Sequence, residues 1–278
     1  VTVQSVDTAS EAYALSLAEK ARIDMPYMSK LTGKTEQELF EDLKGVIFLN
    51  PMHISEEDGK PKYLPADEYL SGNVREKLEW ARRSAELYPE DYSENVRALE
   101  AVQPVDLKAS EISVRLGATW LPPETIEEFM FELFSTPRYC QWNIHVHYAQ
   151  YTGEWNVEGK SYDRTNVKAY NTYGTSRING YKIMEETLNL KDVRIFDYIE
   201  DENGKKTAVL NKKETAIAQG KQELIKQAFA DWIWSDPERR EQLTKLYNEK
   251  FNSIRPREYD GSHLNFVGIN PEITLRPH

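Results

Sequence analysis

The chain has 278 residues, 40% hydrophobic and 29% charged, enough for one large domain or two ordinary ones with real cores. No run of about 18 apolar residues occurs, which excludes a membrane-spanning helix. The single cysteine, Cys140, excludes an internal disulfide and a cysteine-built zinc cluster and points to a reducing, cytoplasmic compartment.

Residues 8–49 read as a compact helical unit. Thr8 to Lys20 is rich in Ala, Leu and Glu, all helix formers. Pro26 suits the first turn of a short helix, and Gly33 can close it in the left-handed region. Thr35-Glu36-Gln37-Glu38 fits a capping box ahead of a helix with Leu39 and Leu43 inward. Val46 to Leu49 follows as a strand, and after a polar turn Tyr63-Leu64 can return as its partner. The outline is winged-helix-like; a plain helical hairpin is the alternative. A DNA reader wants bases on its second helix, whereas this one carries Glu36, Glu38, Glu41 and Asp42 against the flanking Lys34 and Lys44. Protein contact or scaffolding is therefore expected here.

Residues 73–102 predict a helical pair, the first helix capped by Asn73 and broken at Pro89, the second capped by Ser93. A further stretch, Ser110 to Leu116, stops at Gly117. Ile126, Phe129, Met130, Leu133 and Phe134 recur at i, i+3, i+4, i+7 and i+8, one broad apolar helical face that Pro137 ends. Residues 142–148 alternate like a strand, with a turn at Thr152-Gly153-Glu154 and a return through Trp155 to Glu158. Tyr181 to Leu190 predicts a helix and Val193 to Ile199 a strand. Asn203-Gly204 is a strong hairpin signal, with Thr207 to Leu210 pairing back. Asn211 and Glu214 start a long helix to Trp234. Ser235-Asp236-Pro237-Glu238 starts another, with Leu243, Leu246, Tyr247 and Phe251 as its buried stripe. Domain limits of 1–107 and 108–278 follow.

Charge divides unevenly. Residues 1–137 hold 14 Lys+Arg against 26 Asp+Glu, and residues 138–278 hold 21 against 20, which together give the net −11. Within 138–182 there are six bases, three acids and nine aromatic residues. Lys160, Tyr162, Arg164, Lys168, Tyr170, Tyr173, Arg177 and Lys182 are the candidate DNA contacts, since bases attract phosphates and tyrosine faces stack on unpaired bases. The alternative is a tyrosine-rich core edge with solvated lysines.

Other chemistry finds little support. No phosphate loop and no dinucleotide fingerprint is present. Neither Asn50-Pro51-Met52-His53 nor Asn270-Pro271-Glu272-Ile273 makes the tetrad an adenine methyltransferase uses to hold a flipped base. His145-x-His147 places two imidazoles on one strand face without an obvious third ligand, and Glu158-x-Lys160 matches only the tail of a nuclease motif. No catalytic or metal-binding residue is assigned.

Several long strings are more specific: Tyr69 to Leu78, Arg115 to Pro123, Asn211 to Thr215, Phe251 to Arg257, Asp260 to His263 and Leu275-Arg276-Pro277-His278. They resemble the region just upstream of the motor in very large bacterial Swi/Snf-type helicases. Those proteins are carried by conjugative elements and phages, and many also bear an adenine-N6 DNA methyltransferase domain. The resemblance implies a parent that acts on DNA with ATP and Mg and, where the methyltransferase is present, uses S-adenosylmethionine. On this resemblance the motor follows His278, and the 278 residues are an accessory region with no cofactor of their own. The expectation is an α+β, mostly helical chain with two β-hairpin regions and long C-terminal helices. Its partners would be DNA and the motor and methyltransferase domains of the same protein, with no membrane. A protein–protein module without DNA contact, or a metal-dependent nuclease, are the alternatives.

Overall fold

The computed structural model describes residues 5–200 and 204–258. Asn203, Asn270 and the strings from Asp260 onward lie outside the described residues. The chain forms two compact units, one of residues 5–106 with 248–258 and one of residues 107–247.

Local capping chemistry sets the first unit. Thr8 and Glu11 form a reciprocal capping box at the start of α1 (Ala9–Lys20). Asp24 caps α2 (Met25–Thr32), with Pro26 in its first turn and Gly33 ending it at φ 73°. Thr35 and Glu38 cap α3 (Glu36–Asp42) in the same way as Thr8 and Glu11 cap α1; each box satisfies N–H groups that a helix start leaves open. Ala12, Met28, Leu39, Leu43 and Ile47 are at most 1% exposed in one small core. β1 (Ile47–Leu49) pairs antiparallel with β2 (Tyr63–Pro65), Phe48 opposite Leu64. The sequence-predicted helices and wing are thus present in order.

After α4 (Ala66–Tyr69) and the short β3 (Gly72–Asn73) come α5 (Val74–Leu87) and α6 (Pro89–Ala101). The sequence expectation placed the α6 cap at Ser93. The helix instead starts at Pro89, whose fixed φ suits a first helical position and whose missing N–H costs nothing there; the Ser93 hydroxyl merely donates to the Pro89 carbonyl, 2.5 Å away. A second small core joins Phe48, Tyr69, Val74, Leu78, Ala81 and Leu99.

The second unit opens with Ser110 within a 3-10 turn (Ala109–Glu111), and residues 112–116 are not helical. α7 (Pro123–Phe134) buries Ile126, Phe129, Met130 and Phe134. A short helix, α8 (Arg138–Gln141), runs up to the stretch that reads as a strand, and its closing turn takes Trp142 and Asn143, so β4 (His145–Ala149) begins only at His145. β4 pairs with β5 (Glu154–Glu158), Val146 opposite Val157 and Tyr148 opposite Trp155. Val146, Trp155 and Val157 face the core while His145, His147, Asn156 and Glu158 face solvent, the period-two pattern of a half-buried strand pair. α9 (Gly180–Leu188) is buried along most of its length. β6 (Phe196–Glu200) and β7 (Lys206–Leu210) form the second hairpin, and α10 (Lys212–Ile233) and α11 (Pro237–Phe251) follow. Phe129 meets Phe229 edge-on at 5.1 Å in a core that also holds Tyr181, Ile225 and Leu243. Phe251 is not part of that stripe: it is 58% exposed.

The expected second module ran on to 278, but residues 248–258 group with the first unit. The reason is physical. β8 (Ile254–Arg255) pairs antiparallel with β3, the Arg75 guanidinium donates to the Asn252 carbonyl at 2.8 Å, and Arg257 binds Asp67 at 2.6 Å. Among the described residues no helix is long and apolar enough to cross a membrane.

Candidate nucleic-acid interface

The eight nominated contact residues differ in what already holds them. The Lys160 and Lys182 ammonium groups both converge on Glu185, at 2.5 and 2.6 Å. Glu185 is 8% exposed and also accepts the Val157 N–H at 2.9 Å. Burial alone would raise its pKa, but the hydrogen bonds from Lys160, Lys182 and Val157 outweigh that and hold the carboxyl below its ordinary range. Arg177 is spent on Asp197 at 2.7 Å and on the Phe196 carbonyl at 2.8 Å. Tyr170 and Tyr173 are half-buried against the core, Tyr173 beside Phe134.

Arg177 is exposed although Asp197 holds it; the exposed members that meet no carboxylate among the described residues are Tyr162, 61% exposed, Arg164 and Lys168. The segment that carries them is fixed from below. Tyr181 is fully buried, and its hydroxyl donates to Asp163 at 2.6 Å. A phenol has one proton to give, so the Thr136 hydroxyl donates to Tyr181, at 2.7 Å. Burial first, and the Asp163 hydrogen bond second, push the Tyr181 pKa up. Asn166 ties the same segment to α7 by donating to Asp163 at 2.6 Å and to the Phe134 carbonyl at 2.9 Å.

Residues 162–168 are held against residues 134–140 at two further points. The Cys140 thiol donates to the Tyr162 carbonyl at 3.3 Å, and the Lys168 ammonium donates to the Ser135 hydroxyl at 2.7 Å. Arg138 and Arg164 lie between those ties in their segments. Both are exposed, and neither meets a carboxylate among the described residues. The only carboxylate in either segment is Asp163, 2% exposed and bonded inward. Tyr139 and Trp142 stand on and just beyond α8, 74% and 82% exposed. Two adjoining segments thus carry the exposed basic and ring-bearing side chains Arg138, Tyr139, Trp142, Tyr162, Arg164 and Lys168.

Half of that set was not nominated from the sequence. A signal was present: no Asp or Glu occurs between Glu132 and Glu154, and Tyr139 and Trp142 flank the buried Cys140 three residues apart. The strand-like reading of residues 142–148 hid Trp142, and α8, four residues long, is too short for its period to show Arg138 and Tyr139.

The remaining motifs separate. Glu158 and Lys160 take different partners, His147 at 3.6 Å and Glu185 at 2.5 Å. His145 lies 3.4 Å from Glu127. Among the described residues no three His, Cys, Asp or Glu side chains converge to hold a metal ion. In the first unit α3 presents acids. Lys62 and Tyr63 both reach Glu36 at 2.7 Å and lower its pKa, Lys62 first. Lys44 reaches Glu41 at 3.4 Å, and Lys34 pairs with Asp42.

These features define an α+β chain with a winged-helix N-terminal unit. Residues 5–55 match the model described as "Probable helicase, winged helix domain", which supports a helicase-associated N-terminal region. Residues 115–253, half of the chain, match the family described as "Domain of unknown function (DUF8437)", and the chain belongs to that family. No curated protein and no solved structure matches.

Proposed function

We propose that this chain is an accessory region of a helicase-type protein that engages DNA through its second unit. The observation that carries the reading is the trio Arg138, Arg164 and Lys168, exposed and without carboxylate partners among the described residues, on the segments that carry the exposed rings of Tyr139, Trp142 and Tyr162. Unpaired cations are what a polyanion displaces counterions onto; lysines already bonded to Glu185 are not. In this reading the first unit is a scaffold. Its α3 surface is acidic where a DNA-reading helix is basic, so it fits a protein contact, with the motor or methyltransferase domains of the same protein as the partners. The motor would be of the Swi/Snf type, using ATP and Mg, and a methyltransferase would use S-adenosylmethionine; both would lie outside this chain, in a cytoplasmic bacterial protein of a mobile element.

The test is fluorescence anisotropy with labelled DNA over a salt series. Reversing Arg138, Arg164 and Lys168 together to glutamate should abolish measurable binding at moderate salt. Neutralising them to glutamine should flatten the slope of log affinity against log salt by about 2, three single-strand phosphate contacts' worth. Reversing Arg177 instead should change little, since Asp197 already holds it. Equal binding by the wild type and the triple glutamate variant would remove the site.

A further inference from the structure

We infer that this surface takes unpaired bases by stacking, so that its ligand is single-stranded polynucleotide and not the duplex; the inference rests on the nucleic-acid reading above. Reading a duplex from its major groove needs an element that enters it, a helix several turns long or a two-stranded ribbon. The helical elements at this surface are short: α8 has four residues, the neighbouring segment is a 3-10 turn (Lys160–Asp163), and Lys168 begins a five-residue π-helix (Lys168–Thr172). None has the reach. Three cations also form a small electrostatic footprint for a chain of net charge −11, too few to hold a duplex by backbone attraction alone.

The surface is rich instead in ring faces. Tyr139, Trp142 and Tyr162 are 74%, 82% and 61% exposed. A buried aromatic side chain removes a large apolar area from water, so three left in solvent on adjoining segments forgo that stabilisation together. Single-strand binders combine such rings with a cationic track, because every base has a face to stack and the backbone follows the charges. Arg138 precedes Tyr139 directly, and Arg164 follows Tyr162 by two residues, so each ring segment carries its own phosphate partner. The support is rigid: the Asp163, Tyr181 and Thr136 chain and the Cys140 contact fix the 3-10 turn against α8 before any ligand arrives, which limits the ordering cost of binding.

The experiment uses the whole chain and five probes: a labelled oligothymidylate of about twelve nucleotides, the matching oligouridylate, an abasic oligonucleotide of equal phosphate count, a duplex of equal length, and anionic phospholipid vesicles. Oligothymidylate should bind at least tenfold more tightly than the duplex or the abasic strand. Trp142→Ala and Tyr162→Ala should each weaken oligothymidylate binding about five- to a hundredfold and leave abasic binding unchanged. Both side chains are largely in solvent, so thermal melts should match the wild type. Comparable thymidylate and uridylate affinities identify the base face as the recognised group; a large gap between them with unchanged ring variants overturns the inference. It is also overturned if the duplex or the abasic strand binds as well as oligothymidylate, or if anionic phospholipid vesicles, which also suit surface Trp, Tyr and Arg, bind in preference to every oligonucleotide. Duplex binding lost in the charge-reversed variant would leave the broader DNA reading intact, whereas no binding to any probe would remove both.

Discussion

Two glycines with opposite surroundings show how single residues hold the site. Gly159 joins β5 to the 3-10 turn that carries Tyr162. It sits at φ 72°, and a methyl group there would lie 1.8 Å from the Asn143 carbonyl oxygen. Neither party can retreat, since both are backbone. Gly159→Ala should therefore cost at least about 2 kcal/mol, from left-handed strain and the clash together. Gly220 lies within α10 with open space where a methyl would go. Gly220→Ala should stabilise by about 0.5–1 kcal/mol, because alanine is the better helix former and loses less backbone entropy. Urea melts of the two variants should shift in opposite directions, and parallel shifts would contradict the placement of Gly159.

Between elements the key joint is Glu185 on α9, which gathers Lys160, Lys182 and the Val157 N–H of β5. Its pKa is depressed from 4.5, so the folded state binds a proton there less readily than the unfolded chain. The stabilisation it contributes is complete above the unfolded value and drains away as pH falls through the lower folded one. Glu185→Gln should cost about 2 kcal/mol at neutral pH, the worth of a charge-assisted hydrogen bond. The gap between variant and wild type should narrow steadily below pH 4.5. A gap that stays constant down to strong acid would mean the carboxylate charge is not what binds the two lysines. The same joint marks where the sequence stops being legible. Capping boxes, the α7 face and both hairpins are local patterns, and they were readable because their determinants lie within a few residues. Lys160 and Glu185 are 25 residues apart, and nothing in the spacing of either announces the pair. A lysine committed to an internal carboxylate looks the same in a sequence as one offered to phosphate. Conversely, α8 stayed hidden because four residues are too few for helical periodicity, so Trp142 read as a strand residue. The proposed surface was thus half legible: composition pointed to residues 138–182, and pairing decided which of their cations are left without a carboxylate partner.

At the scale of the chain, charge and core are partitioned alike. Residues 1–106 hold 12 Lys+Arg against 21 Asp+Glu, net −9, while residues 107–247 hold 19 against 21, net −2. The large apolar core that includes Ile112, Phe129, Tyr181 and Leu243 draws only on residues of the second unit, and the two smaller cores only on the first. A piece spanning 107–251, cut so that α11 stays whole, keeps every residue of its own core. It should melt in one cooperative transition by circular dichroism. It also sheds most of the negative charge that repels a polyanion at long range. At about 10 mM salt, where the field of a charge reaches some 30 Å before it is screened, the piece should bind oligothymidylate several-fold more tightly than the whole chain. At about 150 mM salt, with the screening length near 8 Å, the two affinities should converge, since the local contacts of Arg138, Arg164, Lys168 and the three rings are unchanged. An advantage that persists undiminished at high salt would show that the first unit acts on this surface by direct contact and not through its field. No advantage at any salt would mean that its acids are too well screened to matter and that any affinity for the strand is set by the second unit alone.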